Sequence, residues 1–337
     1  MRDKQLDAYR ALTMMYIVCI IHTFYWLEVG DEPLKSLILV EMPVIFFISG
    51  ASLSFKTKKQ TSFSTLINRI KRVVLPYYIY AFAMLLFLCI LSILTNFEQF
   101  DVTSYGYRDI LRILFGNVQN VPQLPFTSHL WFILPYMILS CLFPIQACIM
   151  QKIKPYLYIG INIIAFIIVQ LVTSNLLIRH ILCYNIFMLA GYCYYKKRGV
   201  KWITTLLCIA LLAIITLHFA AKIPFVPMQS HKFPADTFFL CYTTLALCIL
   251  SLIFSYINIP NSHIISIWNE RGYTIYLYQS VVYTMAFLVK KGVAQFTDNT
   301  IIIGSTLVLF IFAASTLLSY ITYPVERWII SRFFTRQ

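Results

Sequence analysis

The sequence predicts an all-α integral membrane protein whose helices cross the bilayer about ten times. Of its 337 residues, 60% are hydrophobic and only 12% are charged, whereas soluble domains carry about 25% charged residues. Apolar stretches long enough to cross a hydrocarbon core of ~30 Å as a helix recur along the whole chain. Because so few polar side chains could not cover a water-soluble surface, the soluble classes of protein are excluded.

The apolar stretches divide the chain into ten predicted spans. We place them at residues 7–28, 34–55, 73–95, 129–150, 155–174, 176–195, 201–221, 237–257, 273–290 and 301–323. The fifth and sixth spans are nearly continuous, and we separate them at Ser174 and Asn175. The longest connection, residues 95–128, is too short for a soluble domain, so we expect residues 1–337 to form a single membrane domain. Its YGYRDILRILF stretch is typical of an amphipathic helix on the membrane surface.

The basic residues predict the orientation of these spans. With the N-terminus in the cytoplasm, most of the lysines and arginines behind the net charge of +14 fall on the cytoplasmic side. This distribution satisfies the positive-inside rule and places both termini in the cytoplasm. The basic balance therefore reflects topology, not nucleic-acid binding. The nine cysteines lie in apolar stretches without metal-ligand spacing, so we expect no disulfide, no metal ion and no permanently bound cofactor.

Polar residues at the outer ends of the early spans form a candidate catalytic group. His22 lies in the first span, Glu41 at the outer end of the second, and His129 and Trp131 at the start of the fourth. Because consecutive spans run antiparallel, His22, Glu41 and His129 should lie at similar depth and line one cavity. A carboxylate beside an imidazole fixes its tautomer and raises its basicity, as a general base requires.

Each of these residues also has a structural interpretation. Instead of acting in catalysis, His22 could form a hydrogen bond between two helices, and Glu41 could neutralise a buried cation. His129 and Trp131 would only anchor the helix at the membrane surface, where tryptophan is enriched.

Three arginines lie on the predicted cytoplasmic side. Arg10 is twelve positions before His22, which is about 18 Å along a helix. Arg69 and Arg72 are three residues apart and would share one face of the helix entering the third span. The guanidinium group binds phosphate with two parallel hydrogen bonds, so Arg69 and Arg72 are candidates for binding phosphate. The alternative partner is anionic lipid.

Several segments of the chain resemble the acyltransferase-3 family of integral membrane acyltransferases. The resemblance rests on LDAYRALTMMYIVCIIH, FFISGASLSF, NRIKRVVLPYYIY, HLWFI, NIFMLAGYCYYKK, YTIYLYQ and YPVERWI, in this order. It implies an O-acyltransferase in a bacterial plasma (inner) membrane. Such an enzyme takes an acyl group, usually acetyl, from cytoplasmic acyl-CoA and delivers it to a hydroxyl of an extracytoplasmic acceptor, commonly a surface polysaccharide. His22 would be the catalytic histidine, and Arg10, Arg69 and Arg72 would engage the phosphates of CoA.

Two features depart from the family pattern. The spacing from Arg10 to His22 is one residue longer than usual. In an α-helix, one additional residue rotates the direction of the His22 side chain relative to Arg10 by ~100°. Either the helix contains an irregularity such as a π-bulge, or the two side chains face differently. In addition, Gln279 stands where many relatives have histidine, so we do not expect the ninth span to transfer a proton.

The resemblance does not determine the catalytic mechanism, and two alternative functions stay open. His22, oriented by Glu41, would either accept the acyl group or deprotonate the acceptor hydroxyl, while His129 and Trp131 would contact the acceptor. The alternatives are a transporter or flippase of a lipid-linked glycan and a non-catalytic subunit of a polysaccharide synthase.

Overall fold

A computed structural model describes residues 3–55, 67, 70–94, 105–117, 121, 127–195, 199–260 and 262–334. These ranges contain helices and no β-sheet. We label the α-helices in chain order as α1 Lys4–Met15, α2 His22–Trp26, α3 Glu32–Ile38, α4 Glu41–Ser54, α5 Leu75–Leu94, α6 Tyr107–Leu114, α7 Ile133–Lys152, α8 Pro155–Val172, α9 Leu176–Tyr194, α10 Val200–Phe219, α11 Met228–Lys232, α12 Thr237–Tyr256, α13 His263–Val293 and α14 Thr300–Phe334.

Eight helices in the described part of the chain are long and apolar enough to cross a membrane. They are Glu32–Ser54, Ile70–Leu94, His129–Lys152, Pro155–Val172, Leu176–Tyr194, Lys201–Phe219, Thr237–Tyr256 and Thr300–Arg332. The predicted all-α integral membrane fold is therefore confirmed.

The two other predicted spans, 7–28 and 273–290, correspond to the α1–α2 helix and to α13, and neither is among the eight. Polar side chains such as His22 and Gln279 make these two helices less apolar than the rest. The count of ten, the cytoplasmic position of both termini and the single-domain organisation stay predictions.

The predicted break between the fifth and sixth spans is confirmed. Helix α8 ends at Val172 and α9 begins at Leu176. The side chain of Asn175 caps α9 by accepting a hydrogen bond from the backbone N–H of Ile178 at 3.1 Å, because the first N–H groups of a helix lack partners within it.

The first helix contains a π-helical segment at Tyr16–Ile21, which joins α1 to α2 without a break. The backbone N–H of His22 donates to the carbonyl of Ile17, five residues earlier, instead of four as in an α-helix. A π turn accommodates one additional residue. The long spacing from Arg10 to His22 is therefore explained by an irregularity in the helix, the first of the two alternatives. The irregular segment ends directly before His22.

Helices α4 and α9 cross with their backbones in contact, and two glycines make this possible. A Cβ atom on Gly50 would lie 1.8 Å from the carbonyl oxygen of Met188, and one on Gly191 would lie 1.9 Å from that of Phe47. Such small residues allow helices in membranes to approach closely. The crossing fixes the relative position of Glu41 on α4 and His180 on α9.

Short helices cover the predicted outer side. In α11, the backbone N–H of Met228 donates to the Ser36 hydroxyl of α3 at 3.0 Å. The predicted amphipathic helix is present as α6, in which the Tyr107 and Leu111 side chains are exposed and Ile113 is buried. Its location on the membrane surface stays a prediction.

Candidate active site

The polar centre of the bundle is a contact between His22 and Gln279. His22 is half-buried at the start of α2, and Gln279 is fully buried in the middle of α13. The Nδ1 atom of His22 lies 2.7 Å from the amide oxygen of Gln279. Because that oxygen only accepts hydrogen bonds, Nδ1 carries the hydrogen and Nε2 keeps its lone pair. Nε2 makes no hydrogen bond with any residue in the described ranges.

Aromatic side chains enclose the imidazole. The Trp26 ring, one helical turn after His22, stacks on it with the ring centroids 4.2 Å apart and the planes inclined by 6°. The Tyr283 ring lies edge-on to Trp26 at 4.8 Å. The Tyr283 hydroxyl donates to the carbonyl of Val18, inside the π-helical segment, at 2.6 Å. These contacts hold His22 in one orientation and shield one face of its ring.

His129 lies on the other side of Trp26. Its ring centroid is 5.6 Å from that of Trp26 and 5.3 Å from that of Tyr276. Its Nε2 lies 3.2 Å from the carbonyl of Leu277, so Nε2 carries the hydrogen. The buried Nδ1 has no hydrogen-bond partner among the described residues. The structure thus brings His22 and His129 together, and a residue exposed by only 1% is no membrane-surface anchor.

Glu41 does not orient His22, so this part of the prediction is wrong. Its Oε1 atom accepts a hydrogen bond from the ammonium group of Lys232, and Gln279 takes the expected place beside the imidazole. The carboxylate binds Lys232 because an isolated charge is costly in a buried site and an opposite charge compensates for it. The structural interpretation of Glu41, neutralisation of a buried cation, therefore describes its contact.

Trp131 packs next to this ion pair. The Lys232 ammonium nitrogen lies 5.2 Å from the centre of the Trp131 ring, and the His180 and Phe233 rings each lie 4.8 Å from it. His180 bonds through Nε2 to the carbonyl oxygen of Lys232 at 2.8 Å. Trp131 is thus held within the bundle by several partners, instead of standing alone at the membrane surface.

The predicted cytoplasmic arginines have different environments. Arg10 donates to Asp7 at 3.3 Å, to Ser52 at 2.6 Å and to Asn269 at 3.2 Å, which joins α1, α4 and α13. Arg72 lies in the π-helical segment Ile70–Val74 and its side chain is exposed. Arg69 lies outside the described residues.

The segments that carry Arg10 and Arg72 meet the same face of α13. Arg10 bonds to Asn269, and the Tyr273 hydroxyl donates to the carbonyl of Val73, next to Arg72, at 3.1 Å. Asn269 and Tyr273 are four residues apart and therefore lie one above the other on the helix. Gln279 follows about 15 Å further along the α13 axis from Asn269, so one helix connects the arginines to His22.

Sequence reasoning missed three residues of this site. In the sequence, Gln279 stands out only as a departure from the family pattern, and Lys232 is one basic residue among many. Trp26 had a usable signal, since an aromatic residue four positions after His22 must lie on the same helix face. No local signal exists for the other two, because they meet His22 and Glu41 from distant parts of the chain.

The bundle and this centre define an integral membrane protein with an intramembrane histidine site. A family model described as an acyltransferase domain, Acyl_transf_3, matches residues 3–324. The chain therefore belongs to the acyltransferase-3 family, and the protein is a membrane acyltransferase. No curated protein and no solved structure matches the chain.

Proposed function

We propose that this acyltransferase moves an acetyl group from cytoplasmic acetyl-CoA to a hydroxyl of an extracytoplasmic glycan, in the plasma (inner) membrane of a bacterium. The observation that carries the proposal is the 2.7 Å contact between Nδ1 of His22 and the amide oxygen of Gln279. Because an amide oxygen accepts hydrogen bonds, Nδ1 donates in this contact and the Nε2 lone pair is left for chemistry. A general base or a nucleophile needs one such unoccupied nitrogen in a fixed orientation.

Two routes use this nitrogen. In direct transfer, Nε2 takes the proton of the acceptor hydroxyl while the hydroxyl oxygen attacks the thioester carbonyl. The carbon–sulfur bond then breaks, and the CoA sulfur receives the proton from Nε2. In the relay, Nε2 itself attacks the carbonyl, the carbon–sulfur bond breaks, and CoA leaves as the thiolate, which takes a proton from water. The acceptor hydroxyl then takes the acetyl group from the acetyl-imidazolium and releases its proton to water, which restores the neutral imidazole. Direct transfer requires both substrates together, whereas the relay gives ping-pong kinetics.

The arginines support a donor entrance on the cytoplasmic side. The guanidinium of Arg72 is exposed and would bind the phosphates of CoA, and the Arg69 guanidinium would add two further hydrogen bonds. Arg10 is less exposed and joins three helices at this end of the bundle, so it would fix the shape of the entrance as well as its charge. The path from there to His22 follows α13.

The residues around Trp131 and His129 support an acceptor side at the opposite end. Trp131 is half-buried and offers part of an aromatic face, and sugar rings pack well on such faces. The buried Nδ1 of His129 lacks a partner among the described residues and would bond to a hydroxyl that enters the site. Because the chain belongs to an acyltransferase family, we prefer this function to a flippase or a non-catalytic synthase subunit.

Replacement of His22 tests the proposal. The purified protein in nanodiscs is given radiolabelled acetyl-CoA, with glycans extracted from cells lacking the gene as the acceptor mixture. We expect His22→Ala to lower acetyl transfer by a factor on the order of 10²–10⁴, the usual contribution of such a base. His218→Ala is the matched control, because His218 is exposed at the end of α10 and bonds to the nearby Ile223 carbonyl. Wild-type transfer by the His22→Ala protein would refute the proposed role.

A further inference from the structure

The connection between α10 and α12 is fastened to the bundle at both ends of α11. Met228, its first residue, donates its backbone N–H to Ser36. Lys232, its last residue, donates its ammonium group to Glu41. The segment is therefore held at two points, by α3 and by α4, and its Phe233 ring packs against the Trp131 ring at 4.8 Å.

Lys232 is unusual for a lysine in a connection between spans, because it is only 4% exposed. Lysines are almost never fully buried unless they are paired. Here the ammonium group is paired with Glu41, which is 3% exposed, and lies over the Trp131 and Phe233 rings at 5.2 and 5.1 Å. Such cation–π contacts add to the ion pair when the charge is desolvated.

The same residue also ties in a third helix. The backbone carbonyl of Lys232 bonds to His180 on α9, while its side chain bonds to Glu41 on α4. One residue therefore joins the segment 228–233 to α4, to α9 and to Trp131, which lies just before α7. Since buried ion pairs add little net stability but require a defined geometry, this arrangement is better suited to positioning than to holding the fold together.

The region around Trp131 borders the contact between His22 and Gln279. The Phe132 ring, next to Trp131, packs against the Tyr276 ring at 5.0 Å, and Tyr276 in turn packs against His129 and His22. Glu41 adds a further observation, because its Oε2 atom is buried without a hydrogen-bond partner among the described residues. A buried acceptor without a donor is costly, and a hydroxyl of a bound glycan would supply that donor.

We propose that Lys232 is a positioning residue that holds the segment 228–233 and the Glu41 carboxylate in place as the acceptor-side wall of the His22 site. In this arrangement the acceptor glycan packs on Trp131 and Phe233, and one of its hydroxyls donates to Oε2 of Glu41. The inference rests on the proposed acetyl transfer and deepens it, since it concerns the acceptor and not the acetyl-CoA donor.

The experiment separates the acceptor from the donor. Lys232→Met and Lys232→Arg proteins are assayed with acetyl-CoA and the extracted glycans, and donor binding is followed as the rise in melting temperature on adding acetyl-CoA. We expect Lys232→Met to raise the KM for the glycans at least tenfold and to keep the wild-type response to acetyl-CoA. Lys232→Arg should recover most of the loss, because the charge and its hydrogen bonds remain. Lys222→Met is the control, since Lys222 is exposed in the same connection.

Hydrogen–deuterium exchange provides a readout that needs no acceptor. The backbone amides of 228–236 should exchange faster in Lys232→Met than in wild type, and at the wild-type rate in Lys222→Met. If Lys232→Met does not fold, the double variant Glu41→Gln/Lys232→Met, which removes both buried charges together, is judged by the same acceptor KM and exchange criteria.

The outcomes distinguish the two proposals. A wild-type protein that neither responds to acetyl-CoA nor transfers acetyl groups would refute the proposed function. A wild-type protein that transfers, together with an unchanged glycan KM and unchanged exchange in Lys232→Met, would refute only the role of Lys232. A weaker acetyl-CoA response in Lys232→Met would also refute it, since the residue would then act on the donor.

Discussion

The contact between α4 and α9 makes Gly191 one of the two positions, with Gly50, where one added methyl group should have a large effect. A Cβ atom at residue 191 would lie 1.9 Å from the carbonyl oxygen of Phe47. Ordinary contact begins near 3.4 Å, so the helices would have to separate by about 1.5 Å to relieve the overlap. Because the clash involves rigid backbone on both helices, we place its cost near the upper end for overpacking, about 3 kcal/mol.

Separation of these helices should also impair acetyl transfer. Helix α4 carries Glu41 and α9 carries His180, and Lys232 contacts both. When the helices move apart, Lys232 cannot keep both contacts at their present lengths. We therefore expect Gly191→Ala to lower the melting temperature in nanodiscs by roughly 5 °C and to lower transfer to the extracted glycans as well.

Gly160 provides the matched control for this substitution. It lies inside α8, and a Cβ atom there would meet nothing within 4 Å. Since alanine favours a helix over glycine by up to about 1 kcal/mol, Gly160→Ala should leave the melting temperature unchanged or slightly higher. If Gly191→Ala melted like the wild type while Gly160→Ala behaved as expected, the close crossing of α4 and α9 would be refuted.

Three further predictions concern the hydrogen bonds of the site and the outer connection. Gln279→Met removes the partner of His22 Nδ1 and should lower kcat roughly tenfold, as for one lost hydrogen bond, with the response to acetyl-CoA unchanged; wild-type kcat would contradict the role of Gln279. Arg10→Gln should raise the KM for acetyl-CoA and reduce its stabilising effect on melting, and an effect on the glycan KM alone would contradict a donor role. Burial opposes the charge of His231, but the Asp236 carboxylate at 2.7 Å and the Pro224 carbonyl outweigh it and raise its pKa above the ordinary 6.5. Folding therefore favours the protonated form of His231. Its contribution to the stability of the folded protein is complete below pH 6.5 and is lost as the pH rises through the raised pKa. The melting temperature of His231→Gln should depend less on pH in this window than that of the wild type.

The fold class and one local irregularity followed from the sequence for clear physical reasons. Apolar length predicts membrane helices because the bilayer imposes one length and one composition on them. The additional residue between Arg10 and His22 predicted a π-bulge as one alternative, because a helix can absorb an insertion only in a wider turn or by rotation. Both predictions depend on residues that are neighbours along the chain.

The partners of His22 and Glu41 did not follow from the sequence. Antiparallel neighbouring spans made a His22–Glu41 contact reasonable, but depth alone does not determine which faces of two helices meet. Gln279 reaches His22 from the other end of the chain. Lys232 lies in a connection between two spans, and hydropathy does not show that such a charged side chain is buried. The segments FFISGASLSF and NIFMLAGYCYYKK contribute to the family resemblance. The shared role of their glycines, Gly50 and Gly191, in one helix crossing is visible only in three dimensions.

The low hydropathy of the α1–α2 helix and of α13 has a consequence for biosynthesis. These two helices pack against each other, and neither is among the eight that are apolar enough to cross a membrane by composition. The first is synthesised well before the other, because almost all the other helices lie between them in the chain. Until α13 is made, His22 lacks Gln279, its hydrogen-bond partner, within the lipid, where polar groups are costly. Proteins truncated before α13 should therefore be recognised as unassembled and degraded.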